Sequence, residues 1–261
     1  MTNQKKPTNL LTRRNFVFAS STLVIGSVFS CSGQPPQPPQ NPQPTHNPEN
    51  QKYKPIHVRI RIGKQIDKIG VGNKTFTPKN IDEFPKTIEL KPKTKINIEG
   101  RAKKITGRLI LHQTKDGKFD AVAHVPIEKY LPGVLAGELF SHWHPSTFAA
   151  QAVAARSYAM TQHRARINTS HFDVTDGPSS QMFLGDVVLD VAHRAVQETS
   201  GIVLWWNSKI VPAYYSACCG GIAAAAKDAI SDSNTHDIPP LFGHDGKDCC
   251  VEVDSRKWSL A

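Results

Sequence analysis

The spacing of apolar residues changes at Pro126, and this change limits the folds open to the chain. Before it, apolar and polar residues alternate. In "HVRIRIG" (57–63), His57, Arg59 and Arg61 interleave with Val58, Ile60 and Ile62, and Ile56 precedes them. A period of two puts one set of side chains on each face of a strand, so this is a half-buried strand. "KTKINIEG", "GRLILHQ" and "FDAVAHV" follow the same pattern, with "KDGK" as a turn. After Pro126 the signals are helical. Proline suits a first helical position, so "PIEKYL" starts a helix and Pro132 restarts one, placing Glu138 on a short helix. Residues 144–166, "HPSTFAAQAVAARSYAMTQHRAR", are rich in alanine, lack glycine and end in basic residues that suit the helix dipole. Alanine on several sides allows close neighbours, which predicts a central helix. The predicted class is α+β: a β-rich, antiparallel N-terminal part, then a mixed part of helices and a β-hairpin.

Later segments complete the plan. Residues 171–185 read as a loop. Residues 186–201 read as a helix stopped by Gly201. "IVLWW", "NS" and "KIVPAYYSA" read as a hairpin, followed at once by "CCGG".

The N-terminal 55 residues stand apart. "TRRNFV" (12–17) sets an arginine pair before an uncharged apolar run from Phe16 to Ser30, shorter than the ~20 residues of a spanning helix. It resembles a twin-arginine export signal. The run ends in "SVFSC", which resembles a lipoprotein cleavage box with Cys31 as the lipidated first mature residue. An uncleaved signal anchor is the alternative, and it too would leave the rest outside the cytoplasm. Residues 32–55 are mostly proline, glutamine and asparagine, too polar to bury a core and kept extended by proline. The expected organisation is therefore an export signal (1–30), a tether (31–55), a β-rich part (56–125) and a helical and hairpin core with a cysteine-containing tail (126–261).

Charge and cysteines narrow the function classes. Net charge is +10, and Lys5, Lys6, Arg13 and Arg14 of the signal account for four of it, leaving about +6. This favours anionic partners such as a wall polymer or membrane surface. An exported chain without a binding motif is not expected to take nucleic acid. Outside the cytoplasm, Cys218, Cys219, Cys249 and Cys250 are candidates for disulfides, with pairing between the two adjacent sites favoured. A thiolate metal site with His236 and His244 is the alternative, though adjacent cysteines suit one tetrahedral ion poorly. "HWH" (142–144) suits a solvated or capping role better than a metal. No glycine-rich phosphate loop, Cys-x-x-Cys or His-Glu-x-x-His occurs.

One acid invites chemistry. Between Leu131 and His163 the only formal charges are Glu138 and Arg156. A carboxyl among apolar side chains is disfavoured in its charged form and can deliver a proton to a leaving oxygen. A nearby arginine would oppose that effect. The other reading is an acid on an exposed helix face, or one paired with Arg156.

"VPIEKYLPGVLAGEL", "STFAAQAVAARSYAM", "SSQMFLG" and "AVQETSGIVLWWNSKIVPAYYSACCGG" occur in the order seen in the SpoIID/LytB family, which the chain resembles over about 120–225. That family includes a sporulation lytic transglycosylase and amidase enhancers. The resemblance implies a peptidoglycan lytic transglycosylase that cuts glycan strands with Glu138 as catalytic acid and base. It implies that Arg156 lies near the glutamate, and that Arg156, Tyr215, Ser216, Gly220 and Gly221 line the sugar cleft. Gln151 fits a motif on another helix side and reads as a buried hydrogen-bonding residue. Some members bind zinc through Cys and His where this chain has Ser179 and Ser180, so no metal or other cofactor is expected. Cys219 replaces a small hydroxyl, and "IAAAAK" replaces polar positions, altering the cleft's rim. A wall-binding module or amidase enhancer, with a wall amidase as partner, is the alternative. The expected location is a lipid-anchored protein facing the periplasm or cell wall.

Overall fold

The computed structural model describes residues 56–216, 222–230 and 236–243. It is α+β, as the change of period predicts. Six strands come first: β1 (His57–Ile66), β2 (Ile69–Val71), β3 (Lys74–Phe76), β4 (Lys86–Ile98), β5 (Arg101–Gln113) and β6 (Phe119–Pro126). They pair antiparallel in the order β3-β2-β4-β5-β6-β1. A seventh strand, β7 (Val174–Thr175), joins the far edge parallel to β1, inside the segment expected to be loop. A two-residue strand is too short for periodicity to reveal; its pairing with β1 comes from tertiary placement.

The alternation in β1 works as expected on one side only. Val58, Ile60 and Ile62 are buried in the core. Arg59 and Arg61 are covered as well, by the segment 170–176. Arg59 donates its backbone N–H and its guanidinium to the fully buried Asp173, with contacts of 2.5–2.8 Å. His163 Nδ1 lies 2.8 Å from the same carboxylate. Arg61 stacks 4.0 Å over the ring of Phe172.

The helical half rests on this sheet. Helix α1 (Ile127–Glu138) is continuous, and Pro132 lies inside it rather than starting a second helix. Proline removes one intrahelical hydrogen bond; here the burial of the surrounding Tyr130, Leu131, Val134 and Leu135 holds the helix together. Helix α2 (Pro145–Arg166) matches its prediction. His144 caps it, its Nδ1 accepting from Ser146 N–H at 3.2 Å, and Pro145 occupies the first turn. Helix α2 packs against α1 and β1, and is central as the alanines suggested. Helix α3 (Asp190–Glu198) starts later than predicted. Asp186 is tied to β5 through its own N–H to the Lys104 carbonyl and through Thr106, whose hydroxyl donates to Asp186 at 2.7 Å. That tie keeps 186–189 out of the helix. The hairpin is present as β8 (Trp205–Trp206) and β9 (Lys209–Ile210), with Asn207 and Ser208 both at positive φ, as a tight two-residue turn requires. A four-residue helix, α4 (Ala226–Ala229), follows. One apolar core joins residues of β1, β5 and β6 to residues of α1, α2 and α3.

Candidate active site

Glu138 is the last residue of α1 and half-buried. The apolar residues before it, Tyr130, Leu131, Val134 and Leu135, enter the core. Its position follows from two glycines one turn apart on α1. A β-carbon on Gly133 would lie 2.3 Å from the Gly185 carbonyl oxygen, and one on Gly137 would lie 2.9 Å from that of Met182. Two bare helix positions at i and i+4 share a face, and the segment 182–185 lies directly on that face. Leu184 N–H donates to the Gly133 carbonyl at 3.1 Å, and Met182 N–H donates to Glu138 Oε1 at 2.8 Å. The segment is held from behind as well. Asp176 accepts from Phe183 N–H at 3.2 Å and pairs with Lys103, which also donates to the Phe183 carbonyl.

Behind the glutamate is a hydrogen-bonded set of tyrosines around the fully buried Gln181. Gln181 accepts from the Tyr130 hydroxyl at 2.9 Å, and its amide donates to the Ala155 carbonyl at 3.2 Å and to the Tyr215 hydroxyl at 3.0 Å. Burial pushes the Tyr130 phenol well above its usual range. Burial also pushes Tyr215 up, and the neighbouring Glu138 charge adds to it. Both phenols therefore keep their protons and can serve as donors. Gln151 also reaches toward the Tyr215 phenol. The sequence reads it as a buried hydrogen-bonding residue; its Nε2 is buried and faces that phenol without closing a well-formed hydrogen bond. Tyr158 stands edge-on to both Tyr214 and Tyr215, and Tyr214 bonds His236 Nε2 at 2.6 Å.

Arg156 does not belong to this group, which corrects the expectation that it lines a sugar cleft beside the glutamate. It is 1% exposed and forms a two-pronged pair with Glu128, at 3.0 and 2.8 Å. Its other donors reach the carbonyls of Val196 and Ile202, at 3.3 and 3.1 Å, and more weakly that of Ala152. A guanidinium has five donors, and here they are directed to protein acceptors that tie α2 to the start of α1 and the end of α3. The pairing of Glu138 with Arg156 is likewise not formed. Tyr215 lies close enough to Glu138 for the carboxylate to act on its phenol, and Ser216 follows it on the surface. Gly220, Gly221, the anchor candidate Cys31 and the four tail cysteines lie outside the described residues.

Sequence reasoning missed Gln181, Tyr130 and the Met182 N–H. The glycine spacing in "GVLAGE" was an available signal for the close approach. Nothing in the spacing of Gln181 reveals that its amide joins three elements.

Fold and site together define an α+β domain with one carboxylate at a helix end, backed by buried tyrosines. Residues 115–206 match the model of the SpoIID family, described as stage II sporulation protein, in line with the resemblance the motifs carry. A 141-residue stretch, 54% of the chain and 37% of the relative, is 33% identical to an uncharacterized protein of Brachyspira hyodysenteriae. A 104-residue stretch, 40% of the chain and 14% of the relative, is 32% identical to the amidase enhancer of Bacillus subtilis. The chain thus spans well under half the length of these curated relatives.

Proposed function

We propose that this chain acts on the bacterial cell wall as a peptidoglycan lytic transglycosylase, with Glu138 as both acid and base. The observation that carries the reading is the placement of Glu138: half-buried at a helix end, oriented by the Met182 N–H and next to the protonated Tyr215 phenol. Hydrolytic glycosidases commonly use two carboxylates. A transglycosylase needs only one. The Glu138 carboxyl protonates the glycosidic oxygen, the C1–O4 bond breaks, and its electron pair stays on the departing N-acetylglucosamine. The resulting carboxylate then removes the proton from the muramic acid 6-hydroxyl as that oxygen bonds to C1, giving a 1,6-anhydro end. The attacking group is tethered to the same sugar, which gives a large effective-molarity advantage over water. Tyr215 orients the carboxylate or a sugar hydroxyl through its phenol proton, and Ser216, Gly220 and Gly221 contact the strand.

The test is digestion of peptide-free glycan strands, with mass analysis of the new ends. Wild type should release anhydro-muramyl ends and Glu138→Gln should release none. Equal release by both, or none by wild type, overturns the proposal. A second reading, activation of a wall amidase without cleavage, is supported by the similarity to the amidase enhancer. It predicts that Glu138→Gln supports the partner amidase fully.

The protein's place in the cell belongs to the same proposal: exported and held at the membrane through a lipid on Cys31. Palmitate labelling should mark the wild-type protein and miss Cys31→Ala; labelling of both would refute the anchor.

A further inference from the structure

Immediately beyond Glu138 the chain leaves two large aromatic side chains in water. Phe140 is 56% exposed and Trp143 is 41% exposed. Single exposed apolar residues are ordinary, but these two are held together. Leu139 N–H closes α1 on the Leu135 carbonyl at 3.0 Å, and Trp143 N–H folds the chain back onto the Phe140 carbonyl at 3.0 Å. The rings meet edge to face at 5.5 Å, and His142 stacks with Phe140 at 5.8 Å. His144 is occupied in capping α2. The "HWH" turn therefore places an indole and a phenyl ring outside the hydrogen-bonded corner between two helices. Phe140 is two residues from Glu138, so its Cα lies within about 7 Å of that of the acid.

We propose that Phe140 and Trp143 form a stacking platform for one pyranose ring of the glycan strand, adjacent to the linkage at Glu138. This rests on the glycan reading above. In β-linked N-acetylglucosamine and N-acetylmuramic acid the ring substituents are equatorial, so axial C–H bonds cover both faces of the ring. Such a face is apolar and slightly positive, and it complements the negative face of an indole. The size also points to a sugar. The indole face of Trp143 matches one pyranose, with Phe140 set at 62° beside it, whereas a stable protein interface needs about 800 Å² per partner. The two rings already touch each other without substrate, which lowers the side-chain ordering that binding a sugar costs.

The experiment measures binding, separately from cleavage. Peptide-free glycan strands are titrated calorimetrically into Glu138→Gln protein, with and without Trp143→Ala or Phe140→Ala. Each added substitution should weaken binding about tenfold, the change that about 1.4 kcal/mol of lost contact produces. Trp143→Tyr should stay within about threefold of the parent. In the cleaving enzyme, Trp143→Ala should raise KM more than it lowers kcat. Thermal melting of each variant shows whether it is folded, and two independent sites guard against one failing. Equal binding by the parent and both alanine variants overturns the platform, as does absence of binding by the parent. So does a Trp143→Ala protein that grips glycan normally but loses only amidase activation. Release of anhydro ends is scored in a different assay, so failure of the platform and failure of the catalytic reading are distinguishable.

Discussion

Glu138 and Arg156 are the only formal charges in a long apolar stretch, and the structure gives them unrelated tasks. Arg156 is enclosed, and its guanidinium satisfies carbonyl groups of α2, α3 and the chain after α3 while pairing with Glu128. Removing one partner of such a pair leaves a stranded charge and costs about 3–5 kcal/mol. Glu128 is 36% exposed, so solvent relieves part of its loss. Arg156→Met should therefore cost nearer the lower end, read as a lower denaturation midpoint, while glycan binding by the protein that remains folded is unchanged. A binding defect without a stability loss would restore Arg156 to the sugar site. Sequence could isolate both residues because charges in apolar runs are conspicuous. It could not separate their roles, since burial and partners are set by segments 28 or more residues away.

At the level of elements, the site is built where α1 meets the segment 181–185. Gly133 and Gly137 are required for contact, not for unusual backbone angles. Gly137→Ala would put a methyl 2.9 Å from the Met182 carbonyl. The segment must then move outward and loosen the Met182 N–H contact with Glu138. A misplacement of about 1 Å can cost on the order of 100-fold in rate. Gly137→Ala is expected to lose 10- to 100-fold in kcat, roughly, with a melting temperature close to wild type. Glycan-cleavage kinetics with a parallel melt would check this; unchanged kcat would show that the contact does not orient the acid. The helices, the hairpin and the long strands were legible because their periods and caps are local. The extent of α3 was not, because the bonds of Asp186 to β5 override its local helical signal.

Across the whole molecule, the polar face of the sheet is partly covered around β1, β6 and the end of β5, where His112 and His124 are half-buried, and this has a consequence for pH. His112 and His124 are both lowered to about 4 from an ordinary 6.5, mainly by burial, with His171 acting on His112 and Arg108 on His124. The Nε2 of each is buried without a hydrogen-bond partner. Between pH about 6.5 and about 4 the unfolded chain binds protons at these sites that the folded chain refuses. Stability must therefore fall as pH drops through that window, and the effect is absent above it. Melting temperatures measured from pH 7 to 4 should decline, and His112→Phe or His124→Phe should shallow the decline. An equally steep decline in both variants would assign the acid sensitivity elsewhere.

By itself, the sequence determined the α+β class, the main strands and helices, and the glutamate that deserves testing, because repeat spacing, proline positions and an isolated charge are local properties. The tertiary structure decided which charges meet. It buried Arg156 against Glu128, set the 182–185 segment into the glycine face of α1, gathered Tyr130, Gln181 and Tyr215 behind Glu138, and left Phe140 and Trp143 outside. Each of these depends on long-range packing, where a side chain's environment comes from elements remote in the chain, and residue spacing carries no record of that distance.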